Sequence, residues 1–197
     1  MKLNIRRMIP LGLTLFRVVV GPLLFLDALD GQTNVWFLAG FTAAILSDIF
    51  DGIIARRIGA ATPIGGVLDG WADIWFYVWF AAAIALTHPA FYAAFGTPLL
   101  LVAVLQVLGW VLDWIKFRSL NSYHAYSTKA FGLGLFVASF LLIAFNTTGL
   151  VMMMTMAIGV LCKLEEIAIT CVIPAWQVDV PSVFHAYRIR QQNASAK

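Results

Sequence analysis

Hydrophobic positions in this chain gather into runs of about twenty residues, separated by short polar connections. Six such runs fall at about 8–29, 35–55, 66–87, 98–115, 130–147 and 150–171. At 1.5 Å of rise per residue, each is long enough to cross a hydrocarbon core of ~30 Å. The pattern predicts an all-α integral membrane bundle of six transmembrane helices, a single domain over residues 1–197 with a short polar tail from about Pro174.

Local signals refine the boundaries. Thr62-Pro63 reads as an N-cap followed by proline at the first helical position, so the third helix is expected to begin near Pro63. In the tail, Val183 to Arg190 suggests a short surface helix of weak amphipathic character. The first run follows Lys2, Arg6 and Arg7, as a secretory signal would. Its core from Met8 to Leu29 is longer than a signal core and contains Arg17, and no small-residue cleavage site follows it. It is therefore expected to stay as a span. No internal repeat or second domain is legible.

Composition strengthens the membrane reading. The chain is 61% hydrophobic and 12% charged, with a mean hydropathy of +0.88, far from a soluble globular domain. The sequence pI of about 9.0 raises nucleic acid as a partner. The cations are instead arranged as a topology signal. Lys2, Arg6, Arg7, Arg56, Arg57, Lys116, Arg118, Lys129, Arg188, Arg190 and Lys197 all fall on one side, while Asp30–Asn34, His88–Thr97 and Asn146–Gly149 contain no Lys or Arg. The positive-inside rule then puts both termini at the cytoplasmic face, with no nucleic-acid role. A bacterial inner membrane is the expected setting. Cys162 and Cys171 lie nine apart and are expected to be free, packed thiols.

The chemistry concentrates in one stretch, Asp48-x2-Asp51-Gly52-x2-Ala55-Arg56-x8-Gly65-x3-Asp69-x3-Asp73. Intramembrane acids are costly and mark a shared cation or a proton task. Helical offsets of three, four and seven put Asp48, Asp51, Gly52 and Ala55 on one face, and Asp69 and Asp73 share a face of the next helix. Two antiparallel helices with a short link could present all four carboxylates to one pocket. Hard oxygen donors select Mg²⁺, Mn²⁺ or Ca²⁺. Gly52 and Ala55 leave room for a ligand, Arg56 and Arg57 bring phosphate-matching guanidinium groups, and Gly65, Gly66 and Gly70 allow close approach on the facing helix. These are the parts of a metal-assisted phosphoryl-transfer site. A cation or proton transporter would also explain the acids, but not Gly52, Ala55, Arg56 and Gly65.

The stretch resembles the signature of the CDP-alcohol phosphotransferase family, D-x2-D-G-x2-A-R-x8-G-x3-D-x3-D, at every fixed position. Leu13-Thr14-Leu15-Phe16-Arg17 and Thr62-Pro63-Ile64-Gly65 are similar to its flanking segments. The resemblance implies that Asp48, Asp51 and Asp69 bind divalent metal, and that Asp73 lies near a second metal site and acts as general base. It implies that Gly52, Ala55 and Gly65 admit cytidine and that Arg56 contacts the diphosphate. It further implies two Mg²⁺ or Mn²⁺ ions, a homodimer among membrane lipids, and transfer of a phosphatidyl-type group from a CDP-diacylglycerol-like donor to a small alcohol with release of CMP. Glycerophosphate-accepting members often read Asp-Pro-x-x-Asp-Lys where this chain has Asp69-Gly70-Trp71-Ala72-Asp73-Ile74. Serine, inositol phosphate or another polyol are the alternative acceptors.

Other charged residues need placing. Arg17 sits mid-span, roughly 13 Å from the start of its helix, and needs a partner. Glu165, Glu166 or a substrate phosphate are the candidates. Lys163, Glu165 and Glu166 also read as an interfacial cluster. Asp113, Lys116, Arg118, Tyr123, His124, Tyr126 and Lys129 crowd one connection, where Arg118 and Lys129 are candidates for an acceptor or headgroup phosphate. His88, His124 and His185 lack metal-ligand spacing. Trp36, Trp71, Trp75, Trp79 and Trp110 read as belt or packing residues.

Overall fold

A computed structural model of the chain describes residues 5–58, 63–119, 123, 125–147, 149–177 and 180–195. The expected N-cap Thr62 and His124 lie outside the described residues. Among those described, every regular element is helical: α1 (Ile5–Asp27), a 3-10 turn (Ala28–Asp30), α2 (Val35–Arg57), α3 (Pro63–Thr87), α4 (Pro89–Phe117), α5 (Tyr126–Phe145), α6 (Gly149–Val172) and α7 (Val183–Ser195). The third helix does begin at Pro63.

Five of these helices are long and apolar enough to cross a membrane: α1, α2, α3, α4 and α5. The chain is thus an integral membrane protein by its helices. The sixth, α6, has the length, with 24 residues, but carries Lys163, Glu165 and Glu166 in its second half. Those charges keep it out of the apolar set.

The chain divides into two compact units, Met1–Ala93 and Ala94–Lys197. In the first, α1 packs against both α2 and α3. The turn between α1 and α2 is built by side chains. The Asn34 carbonyl oxygen accepts from the backbone N–H of Trp36 (2.7 Å) and Phe37 (3.0 Å), capping α2, while its amide donates to Asp27 at 3.1 Å. Gly31, at φ 77°, closes the 3-10 turn in the left-handed region that glycine enters without strain. Val20 and Leu24 of α1, Phe37, Phe41 and Ala44 of α2, and Phe76, Phe80 and Ala83 of α3 are buried. Phe41 stacks on Phe80 with ring centroids 4.7 Å apart, joining α2 and α3 at the end remote from the aspartates. A Cβ at Gly21 would lie 3.3 Å from the Phe76 Cα, so the two backbones come close there.

In the second unit α5 packs on α6, and α7 folds back on α6. Gly159 is needed at that contact, since a Cβ there would meet the Phe131 ring at 2.5 Å. The tail helix predicted at Val183–Arg190 runs on to Ser195. Rather than lying free on a surface, it buries Ala186 in a cluster with Tyr123, Ala125, Ile169, Ile173 and Val180. Both cysteines are free, Cys162 buried and Cys171 exposed.

Candidate metal and phosphate site

Arg17 is the centre of the site. Its side chain is only 1% exposed, and it is carried by α1 into the space between the acidic end of α2 and the acidic start of α3. Nη1 donates to Asp48, and Nη2 donates to Asp51 at 2.9 Å and to Asp69. Asp73 Oδ1 stands 3.3 Å from Nε. All four aspartates of the motif therefore converge on one guanidinium. The expectation that Glu165 or Glu166 would answer Arg17 is corrected by these contacts. Those two glutamates are engaged elsewhere: Glu165 accepts from Ser127 Oγ and the Val183 N–H, and Glu166 accepts from Thr128 Oγ1 and pairs with Lys163 at 2.9 Å.

Local packing explains how a buried arginine is held at this depth. One turn beyond it, Gly21 lets α1 approach α3. One residue beyond it, the Val18 carbonyl accepts from Trp75 Nε1 of α3 at 3.1 Å. The carboxylates differ in exposure. Asp51 is 4% exposed, whereas Asp48 is 40% exposed and Asp69 and Asp73 about a third, leaving a path to water. The expected direct facing of α2 and α3 at the acids is also modified, because α1 supplies the group that the acids share.

The donor set suits a hard divalent cation. One oxygen from each of Asp48, Asp51 and Asp69 can be chosen so that all lie within 4.8 Å of one another. Metal–oxygen bonds of ~2.1 Å in an octahedron place ligand oxygens roughly 3 to 4.2 Å apart, a spacing that small carboxylate rotations would reach. Among the described residues one guanidinium faces four carboxylates, a set whose remaining negative charge an oxygen-seeking cation would neutralise.

The remaining predicted residues are placed as follows. Gly52 is half-buried in α2, one residue past Asp51. Ala55 and Arg56 lie in the last turns of α2 and Gly65 in the first turn of α3, and their side-chain surroundings fall outside the described residues. Among the described residues nothing lies within 4 Å of where a Gly70 Cβ would be, so the close helix approach expected there is not seen. Arg118 is exposed just past α4 with φ 55°, and Lys129 is exposed on α5 with its Nζ 5.8 Å from the centre of the Tyr126 ring. An apolar groove of ≈ 460 Å³ runs between α1 and α3, walled by Leu11, Leu15, Val18, Leu68, Trp71 and Trp75.

Two functional-looking features of the second unit were not legible as such. Asp113 is buried, not interfacial, and accepts from Thr170 Oγ1 at 2.9 Å and Tyr123 OH at 3.3 Å. Lys116 Nζ donates to the carbonyls of Thr170, Cys171 and Ile173 at 2.7, 3.0 and 2.8 Å, capping the end of α6.

A helical membrane protein with an acidic cluster at the junction of three spans is defined by these observations. A model of the CDP-alcohol phosphatidyltransferase family matches residues 7–165, most of the chain, and the chain belongs to that family. Its family places it among the transferases that move a phosphatidyl group from a CDP-alcohol. No curated protein and no solved structure matches it.

Proposed function

We propose that this protein transfers a phosphatidyl-type group from CDP-diacylglycerol, or a closely similar CDP-linked donor, to the hydroxyl of a small alcohol. The observation that carries the reading is the convergence of Asp48, Asp51, Asp69 and Asp73 at a single point. Asp48, Asp51 and Asp69 would hold divalent cation, Mg²⁺ or Mn²⁺, with Asp73 beside a second ion. Bound there, the metal would stabilise negative charge on the diphosphate and on the departing CMP. Gly52, Ala55 and Gly65 would leave space for cytidine, and Arg56 would meet the diphosphate.

The chain's own proton chemistry falls to Asp73. Its carboxylate would take the proton of the acceptor hydroxyl as that oxygen attacks the β-phosphorus. The new phosphorus–oxygen bond replaces the bond to CMP, which leaves with the electron pair. The groove between α1 and α3 lies beside Asp69 and Asp73 in sequence and gives the lipid part of the donor an apolar wall. Arg17, Arg118 and Lys129 are the cations available to an acceptor or headgroup phosphate. Since neither residue of the Pro and Lys pair of glycerophosphate-accepting relatives is present at Gly70 and Ile74, serine, inositol phosphate or another polyol are the proposed acceptors.

We further propose that α6 completes six spans, with both termini and the aspartates at the cytoplasmic face of a bacterial inner membrane. Lys163 and Glu166 in its second half pair with each other, which eases the cost of placing them near the interface. Within the apolar stretch of α4 no residue is fully buried by the chain, so much of its surface is left to lipid or to a second copy in a homodimer. The test is direct. Purified protein is incubated with CDP-diacylglycerol, Mg²⁺ or Mn²⁺ and a panel of alcohols, and CMP and the lipid product are identified. Metal-dependent CMP release with one preferred alcohol is expected. Absence of CMP release from every CDP-linked donor would overturn the reading in favour of cation transport.

A further inference from the structure

We propose that Arg17 is a built-in competitor for the metal site: its guanidinium and a divalent cation exchange places on Asp48, Asp51 and Asp69. The inference rests on the metal reading above and adds a residue that controls loading. Three observations carry it. The carboxylates whose oxygens lie within 4.8 Å of one another are the same three that receive Nη1 and Nη2. The arginine is almost wholly buried and aimed into them. Among the described residues its Nε has no hydrogen-bond partner and pairs with Asp73 at 3.3 Å.

Competition follows from valence and space. Asp48, Asp51 and Asp69 each spend an oxygen on the guanidinium, and a hard cation would need oxygens of the same three groups. Two cations packed onto one set of oxygens repel strongly where water is scarce. Cation entry therefore requires the Nη atoms to leave. Asp73 is outside the three-residue set and remains a tether for the Nε edge, while the freed Nη atoms turn toward the water-exposed side of Asp48 and Asp69. Arg17 thus keeps the acids paired before loading and sets a threshold that weakly held cations do not pass.

The experiment measures Mn²⁺ binding to the full chain in lipid nanodiscs by calorimetry and by electron paramagnetic resonance, without substrate. Arg17→Gln removes the competing charge and is expected to bind Mn²⁺ at least tenfold more tightly than the wild type. Arg17→Lys keeps a charge and should stay nearer to the wild-type value. Equal or weaker Mn²⁺ affinity in Arg17→Gln overturns the proposal. A second measurement needs no variant and covers a failure of Arg17→Gln to fold. Phenylglyoxal labelling of the wild type, read by peptide mass spectrometry, should rise several-fold at Arg17 when Mn²⁺ is added, and unchanged labelling overturns the exchange. If the wild type binds no Mn²⁺ at all, both the metal reading and the competition fall. If it binds Mn²⁺ and loses it in Asp51→Asn, while Arg17→Gln binds no tighter, only the competition falls.

Discussion

Asp73 Oδ1 lies 3.3 Å from Arg17 Nε, whereas the other three aspartates of the motif meet the Nη atoms of the same side chain. The guanidinium therefore sorts the acids into a set of three and a set of one. That division fits the two kinds of work proposed for them: holding cation, and moving a proton.

Asp73→Asn is expected to lower CMP release by ~10²-fold or more, the usual range for loss of a general base. Mn²⁺ affinity and the unfolding temperature should stay close to wild type, because Asp48, Asp51 and Asp69 are untouched. Turnover assays paired with Mn²⁺ titration check this. Wild-type turnover would remove Asp73 as the base, and loss of Mn²⁺ binding would make it a ligand instead.

Asp51 is the most buried of the four acids and meets Arg17 Nη2 at 2.9 Å. Asp51→Asn should weaken Mn²⁺ binding by at least ~10-fold, given that even outer-shell partners of metal ligands contribute that much. Folding should suffer less, since Arg17 retains three carboxylates. Calorimetric titration and thermal unfolding on the same sample separate the two effects.

Gly21 lies one turn past Arg17, where a side chain would press on the Phe76 backbone at 3.3 Å. Gly21→Leu is expected to cost about 1–3 kcal/mol as an overpacking change. It should also reduce CMP release, because α1 would be pushed off α3 where it positions the arginine. Gly12, with nothing among the described residues within 4 Å of its would-be Cβ, is the control: Gly12→Ala should leave both unfolding and CMP release unchanged.

Lys116 serves the end of α6 through three carbonyls. Lys116→Met keeps the apolar stem but removes the charge-assisted bonds, and should destabilise the protein by about 1–3 kcal/mol. Thermal unfolding in detergent measures it. No change would mean that water satisfies those carbonyls equally well.

Much of this was readable from the chain. Long apolar runs located α1, α2, α3, α5 and α6 to within a few residues, because span length is dictated by a hydrocarbon thickness rather than by tertiary contacts. In α4 the readable run began well inside the helix, since Pro98 interrupts the pattern without ending it. The spacing of Asp48, Asp51, Asp69 and Asp73 foretold their convergence, because helical periodicity alone puts each pair on one face. What spacing does not encode is which third helix supplies a partner. In sequence Arg17 reads toward Glu165, Glu166 or a substrate phosphate, and the aspartates emerge as its partners only when α1 is seen packed against α2 and α3. Asp113 and Lys116 were opaque for a related reason. Charges near a helix end look interfacial in sequence, and only the fold shows that one is buried against Thr170 and the other is capping α6.

Synthesis gives Arg17 a problem of timing. α1 leaves the ribosome before α2 and α3, so its arginine emerges ahead of all four of its carboxylates. An arginine at the centre of an isolated span costs ~2.5–3.5 kcal/mol to insert. The three helices are therefore best delivered to the membrane together, held at the insertion machinery until Asp69 and Asp73 have emerged. The same contacts that gather the acids at one point would make this first unit of the chain a single step in its own biogenesis.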